Sequence, residues 1–291
     1  MRLPAPYKII VYSLIFVTFV ACGNGNQVEG QIIRPSTALP NVKVLDQQFT
    51  IKGLNRDRII RVYLPEDYAN STEAYPVLYM HDGQNLFDDS TSYVGEWGVD
   101  ENLNQLAKES GLKLIVVGID NGQDKRMNEL SPWENSEYGQ AEGVEYMEFI
   151  VKQIKPFIDS TYRTLNNREN TAIMGSSMGG LISHYAIYNY PEVFGMAGIF
   201  SPSYWYSEDV FTFTKENPVP EDARLFLVIG KKEGNAVDDT EKMYSHILAT
   251  GHPNETLKIT IDQEGEHNEP SWRKQFTPAI KWLFQKQLSE K

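Results

Sequence analysis

The sequence predicts an α/β protein: a mostly parallel central sheet with helices on both faces, in a single domain. Three observations predict it. Short uninterrupted apolar runs, such as residues 76–80 (PVLYM), 112–119 (LKLIVVGI) and 171–174, have the composition of strands buried on both faces. Longer stretches with apolar residues at helical spacing separate them, and this alternation specifies parallel strands joined by helical crossovers. At one junction, within residues 169–190, the run 171–174 meets Gly175-Ser176-Ser177-Met178-Gly179. A helical pattern begins there at once, with Met178, Leu181, Ile182, Tyr185 and Ala186 at i, i+3, i+4, i+7 and i+8. A G-x-S-x-G between strand and helix is the setting of a nucleophile elbow. The turn lifts Ser177 Oγ clear of the sheet, over the free N–H groups of a helix N-terminus.

The elements follow in order. Residues 1–21 read as a secretory signal, with Arg2 and Lys8 before an apolar run over 9–20 that is shorter than the roughly 20 residues of a membrane span. The ending Phe19-Val20-Ala21-Cys22 resembles a bacterial lipoprotein signal, so Cys22 is the expected lipidation site and the membrane partner is reached through that anchor. Residues 22–41 read as a polar tether and 42–291 as the folded domain. Strands are expected over 42–51 and 58–64, joined by turn residues Gly53, Asn55 and Asp57, then over 76–80 and 112–119. A helix over 100–110 ends at Gly111, and a long one over 143–162 is expected to kink at Pro156. After the elbow helix, which stops at Pro191, strands over 197–200, 225–229 and 257–261 alternate with helices near 238–250 and 272–288.

Composition narrows the function. Apolar residues at 41% and charged residues at 23% describe a chain able to bury a core. The net charge of −12, with no basic run or stripe, argues against nucleic acid as a partner. With Cys22 the only cysteine, no intramolecular disulfide forms.

A serine on an elbow needs a base, and the base needs an orienting acid; in this architecture the chain order is Ser, acid, His. Four histidines follow Ser177. His184 lies two turns along the elbow helix, His246 is mid-helix, and His252 precedes the last strand at the wrong end of the sheet. His267 follows that strand, at the carboxyl end where ligands sit in parallel sheets, and is the expected base. Glu233 is the first carboxylate beyond the 225–229 strand and is favoured as the acid, with Asp238 and Asp239, expected to cap the next helix, as competitors. The oxyanion hole is assigned to the N–H groups of Met178 and of Gln84, the latter in the loop that Gly83 turns inward. His81, Asp82, Asp88 and Asp89 lack a second cluster at ligand spacing, so no metal and no cofactor is expected. Trp133, the 204–206 run with Trp205, and Trp272 flank strand ends and offer aromatic faces for a substrate. Asp120, Arg126 and Glu129 read as a loop-stabilising ion pair near the site mouth.

With these pieces in place, the chain resembles the esterase family of α/β-hydrolases, which includes feruloyl and acetyl-xylan esterases, enterochelin-type siderophore esterases, S-formylglutathione hydrolase and the mycolyltransferases. The matching stretches are PVLYMHDGQNLFD, VVGIDNGQDKRMNELSPW, KPFIDSTYRT, IMGSSMGGLISHYAIYNYPEVFG, FSPSYW, IGKKEG and EHNEPSW, over most of residues 58–285. The resemblance implies the α/β-hydrolase fold, a Ser177–Glu233–His267 triad and hydrolysis of carboxylic esters through an acyl-enzyme, with feruloyl, acetyl or siderophore esters as substrates. Many members carry Asp where this chain has Glu233. An acyltransferase would use the same triad.

Overall fold

The apolar runs at 76–80, 112–119 and 171–174 become strands, and the turn residues decide where they stop. The computed structural model describes residues 34–289; the expected signal segment and Cys22 lie outside the described residues. In chain order come β1 (Val42–Val44), β2 (Phe49–Ile51), β3 (Arg56–Arg58), β4 (Ile60–Tyr63), β5 (Val77–His81), α1 (Val99–Ser110) and β6 (Ile115–Ile119). A short α2 (Arg126–Glu129) precedes a continuous helical stretch of α3 (Gly143–Phe149), a π turn (Ile150–Ile154) and α4 (Lys155–Thr161). Then follow β7 (Thr171–Ser176), α5 (Met178–Asn189), β8 (Met196–Phe200), α6 (Asp209–Glu216), β9 (Arg224–Gly230) and α7 (Asn235–Ala249). The chain closes with β10 (Leu257–Asp262), α8 (Glu269–Leu283) and α9 (Gln285–Ser289).

Eight strands form one sheet in the order β1-β4-β6-β5-β7-β8-β9-β10, and β2 and β3 form a separate hairpin. From β6 to β10 all pairings are parallel; β1 and β4 pair antiparallel at one edge. The site therefore sits mid-sheet, since β7 pairs with β5 on one side and β8 on the other. Alternate residues of the strands feed two apolar cores. One holds Tyr79, Val117, Ile173 and Leu227 under α3, α5 and α7; the other holds Leu78, Val116, Met174 and Phe226 under α1 and α8. Helices thus cover both faces.

Five expectations are corrected. The 42–51 strand is two strands in different sheets: β1 pairs with β4, whereas β2 pairs with β3 and its Thr50 hydroxyl donates to Asp57. The 58–64 strand is likewise split between β3 and β4 at the exposed Ile59. The proline in the long helix is absorbed by a π turn just before Pro156: without an N–H on Pro156 the ladder widens by one residue. The elbow helix α5 is buried all round from Met178 to Tyr188, and α6, absent from the sequence reading, belongs to the layer that covers it. Finally, residues 34–41 are tied to the domain rather than free, through bonds such as Thr37 Oγ1 to Glu96 Oε1 at 2.7 Å and the Leu39 N–H to Asp100 Oδ2 at 2.9 Å.

Candidate active site

The elbow is set by backbone sterics. Ser177 holds φ 60°, ψ −122°, a strained conformation for a residue with a side chain. It is locked by hydrogen bonds from its N–H to the Phe200 carbonyl (2.9 Å) and from the Ser203 N–H to its own carbonyl (3.1 Å). Both flanking contacts require glycine: a Cβ on Gly175 would lie 2.8 Å from the Gly179 carbonyl, and one on Gly180 2.7 Å from the Phe200 carbonyl oxygen. Ser177 Oγ shares a 3.3 Å hydrogen bond with Ser203 Oγ.

Two loops at the carboxyl ends of β9 and β10 bring Glu233 and His267 together. Lys231 N–H donates to the Asp262 carbonyl (2.8 Å) and Lys232 N–H to the Gly265 carbonyl (3.1 Å), so the loops touch backbone to backbone. A Cβ on Gly230 would run into the Gly265 carbonyl group. Across this seam, Glu233 Oε2 lies 2.7 Å from His267 Nδ1. Glu233 Oε1 accepts from the Gly230 N–H and the Ser201 hydroxyl, each at 2.7 Å. Ser201 in turn accepts from Trp272 Nε1 at 2.9 Å, and the Trp272 ring stands edge-on to His267 at 5.1 Å. The Glu233 side chain is 2% exposed and the His267 side chain 47%, so the carboxylate is enclosed while the imidazole faces the cleft. With Nδ1 directed to Glu233, Nε2 is the nitrogen left for a substrate-side proton. His267 and Ser177 line the same cleft, without a direct hydrogen bond between them among the described residues.

That cleft has a volume of about 720 Å³, the size of a small-molecule site. Gln84, Asn85, Tyr93, Trp97 and Trp272 contribute to its walls. Its floor carries Asp82, gripped bidentately by Arg126 (Nε–Oδ1 2.7 Å, Nη2–Oδ2 2.8 Å) and by Asn121 Nδ2 at 2.6 Å. Burial alone would raise the Asp82 carboxyl, but Arg126 and Asn121 hold it below the ordinary carboxylate range. Beneath the elbow, His81 Nδ1 bonds Tyr146 Oη at 2.8 Å, and burial pushes the imidazole down to about 4, so it is neutral at pH 7. Burial raises the Glu269 carboxyl, which also lines the cleft.

The other sequence assignments divide. Met178 opens α5, and Gln84 sits in the turn after β5, where it lines the cleft and its Oε1 accepts the Asn121 N–H at 3.1 Å. Asp238 is exposed one turn inside α7, which begins at Asn235, so neither it nor Asp239 caps that helix. His184 is buried between Tyr204 Oη and Thr214 Oγ1, His246 bonds the Phe211 carbonyl, and His252 bonds Thr256. Trp205 is 53% exposed and shares a groove with Glu233, Asp239 and His267 beside the main cleft. Trp133 does not reach the cleft: Ser131 pins its backbone, and its ring packs edge-on against Tyr185 and Phe213 over α5. Asp120, Arg126 and Glu129 form no common pair; Asp120 pairs with Arg61, Glu129 with Arg56 and Arg58, and Arg126 with Asp82. Sequence reading missed Ser201, Ser203 and the His81–Tyr146 pair. The signal available was position, because Ser201 is the first residue past β8, at the carboxyl edge of the sheet.

A mostly parallel eight-stranded sheet with a serine turn between its central strand and a buried helix defines an α/β-hydrolase fold. The chain belongs to the esterase family: residues 51–283 match the family model described as "Putative esterase". It is a carboxylic ester hydrolase. Among curated proteins it is similar to the uncharacterized protein YbbA of Bacillus subtilis, 28% identical over 249 residues, 80% of this chain and 95% of that one. It is also similar to an endo-1,4-beta-xylanase/feruloyl esterase of Xylanibacter ruminicola, 23% identical over 81% of this chain and 30% of that longer one. Among solved structures, the BES protein of Bacillus cereus has the same fold, with a TM-score of 0.70, 19% identity, and coverage of 87% of this chain and 98% of that one.

Proposed function

We propose that the protein is a serine esterase of the cell envelope acting on carbohydrate-linked acyl esters, feruloyl or acetyl. The observation that carries the reading is the 2.7 Å Glu233–His267 contact on the rim of the cleft whose floor holds Ser177 on its strained turn. In this reading Ser177 Oγ leaves Ser203, passes its proton to His267 Nε2 and attacks the ester carbonyl. Glu233 holds the imidazole in the required tautomer and stabilises the imidazolium. The N–H groups of Met178 and Gln84 receive the oxyanion. His267 then protonates the leaving alkoxide, and water releases the acyl group from Ser177. The aromatic walls suit sugar or feruloyl rings, and the Xylanibacter relative carries a feruloyl esterase name. Envelope location rests on the lipoprotein-type signal ending in Cys22.

Ser177→Ala is expected to lower hydrolysis of p-nitrophenyl acetate or methyl ferulate by about a thousandfold or more, with the fold intact by circular dichroism. Retained activity in the purified variant sinks the proposal. Fluorophosphonate labelling at Ser177 checks the nucleophile separately, and screening feruloylated and acetylated xylan fragments against a trilactone siderophore checks the substrate class.

A further inference from the structure

Carboxylates supply many of the acceptors that hold the N-terminal arm against the cleft rim. Arg34 pairs with Asp89 at 3.2 Å, Ser36 Oγ donates to Asp88 at 2.8 Å, and Thr37 and Leu39 donate to one oxygen each of Glu96 and Asp100. Behind that contact, Glu96, Asp100 and Glu101 place one carboxylate oxygen each within 4.8 Å of one another. Glu96 is 7% and Asp100 0% exposed. Glu96 Oε2 and Asp100 Oδ1, the oxygens the arm does not use, are buried and have no hydrogen-bond donor among the described residues. A buried carboxylate oxygen without a partner is costly, and bringing like charges together there adds to the cost.

The start of α1 accounts for part of this, because Asp100 and Glu101 lie in its first turn where the amide dipoles favour acids. It supplies no donor to the two orphaned oxygens. Arg273 is the neighbouring cation, and its guanidinium is spent on the Glu96 carbonyl; it forms no ion pair with the three carboxylates among the described residues. With all three carboxylates ionised against one guanidinium, two charges are left unbalanced, the charge of a divalent cation. All the donors are hard carboxylate oxygens, with no His or Cys, and they come from a loop and a helix start rather than an octahedral cage. That set suits calcium, which accepts irregular oxygen ligation, better than magnesium, which keeps its waters and its octahedron.

We propose that Glu96, Asp100 and Glu101 bind a calcium ion that fastens the N-terminal arm and the rim of the cleft to α1. Trp97, between the ligands, packs near Trp272 at 5.7 Å and donates its backbone N–H to the Asn85 carbonyl at 2.8 Å, so the ion fixes a wall of the cleft. The site does not depend on the triad assignment.

The test uses the full chain in detergent, stripped with EGTA. Titration with CaCl2 in a calorimeter is expected to give one site per chain. Saturating calcium is expected to raise the melting temperature by about 5 °C or more, and equal MgCl2 by much less. Asp100→Asn and Glu101→Gln are expected to abolish both effects; Glu101 is exposed, so its variant folds even where the Asp100 variant does not. Equal melting temperatures in EGTA and calcium with no binding heat overturn the proposal. So does a calcium response that survives in Glu101→Gln, or an Asp100→Asn variant that melts higher in EGTA while the parent ignores calcium, which marks a carboxyl pair sharing a proton.

Discussion

At the scale of single residues, the acid assignment is open to a direct comparison. Glu233 is enclosed and touches the imidazole, whereas Asp238 is exposed on α7. Glu233→Gln is expected to lower kcat about a hundredfold or more, and Asp238→Asn to leave it within about twofold. Steady-state kinetics on one aryl ester measure both. Ser201 is the positioning residue that the geometry adds: its hydroxyl both donates to Glu233 and accepts from Trp272 Nε1. Ser201→Ala removes both bonds and leaves a buried indole N–H without an acceptor. The expected cost is about 1–3 kcal/mol in urea denaturation together with a fall in kcat, since Glu233 Oε1 then keeps only the Gly230 N–H. Beyond its place just past a strand end, nothing in the sequence pointed to the role of Ser201, because the contacts it makes span 32 and 71 residues.

At the scale of elements, the site depends on how closely two loops can approach. Gly230 ends β9 where the 263–267 loop crosses it, and any side chain there collides with the Gly265 carbonyl. Gly230→Ala is expected to separate Glu233 from His267, lowering stability by about 2 kcal/mol or more and kcat with it; urea denaturation and kinetics on the same preparation check the pair of effects. The elbow was legible in the sequence because strand, tight turn and helix are consecutive. The burial of α5 was not: its helical spacing looked one-sided, yet Trp133 and the 204–214 segment close over the remaining face and take His184 into the interior. The same packing withdrew Trp133 from the substrate wall.

At the scale of the molecule, two buried neutral histidines are expected to weaken the fold in acid. Burial lowers His81, beside Tyr146, Asp82 and Arg126, to about 4, and His184, beside Tyr204, Tyr188, Thr214 and His246, to about 3. In the unfolded chain both titrate near 6.5. Between these values the unfolded state binds more protons, so stability is fully present above about pH 6.5 and declines as pH falls toward 4. Melting temperature measured from pH 7.5 to 4 is expected to drop most steeply below 6.5. In His184→Gln that acid decline is expected to be shallower, although the variant melts lower at pH 7.5 through its altered hydrogen bonds.

What the sequence determined by itself was everything carried by local pattern: the parallel α/β class, from apolar runs alternating with helical spacing; the tight strand–turn–helix junction at Ser177; and the order in which Glu233 and His267 follow it at strand ends. Chain order and strand ends are local properties, so one sequence suffices to read them. Tertiary structure alone decided which distant groups meet. It placed Ser201 and Trp272 behind Glu233, locked Arg126 onto Asp82 rather than Asp120 or Glu129, and docked the arm onto Glu96 and Asp100. Those contacts join residues tens of positions apart, and the partner of a charge is chosen by the packing of the sheet and its loops, which no local pattern records.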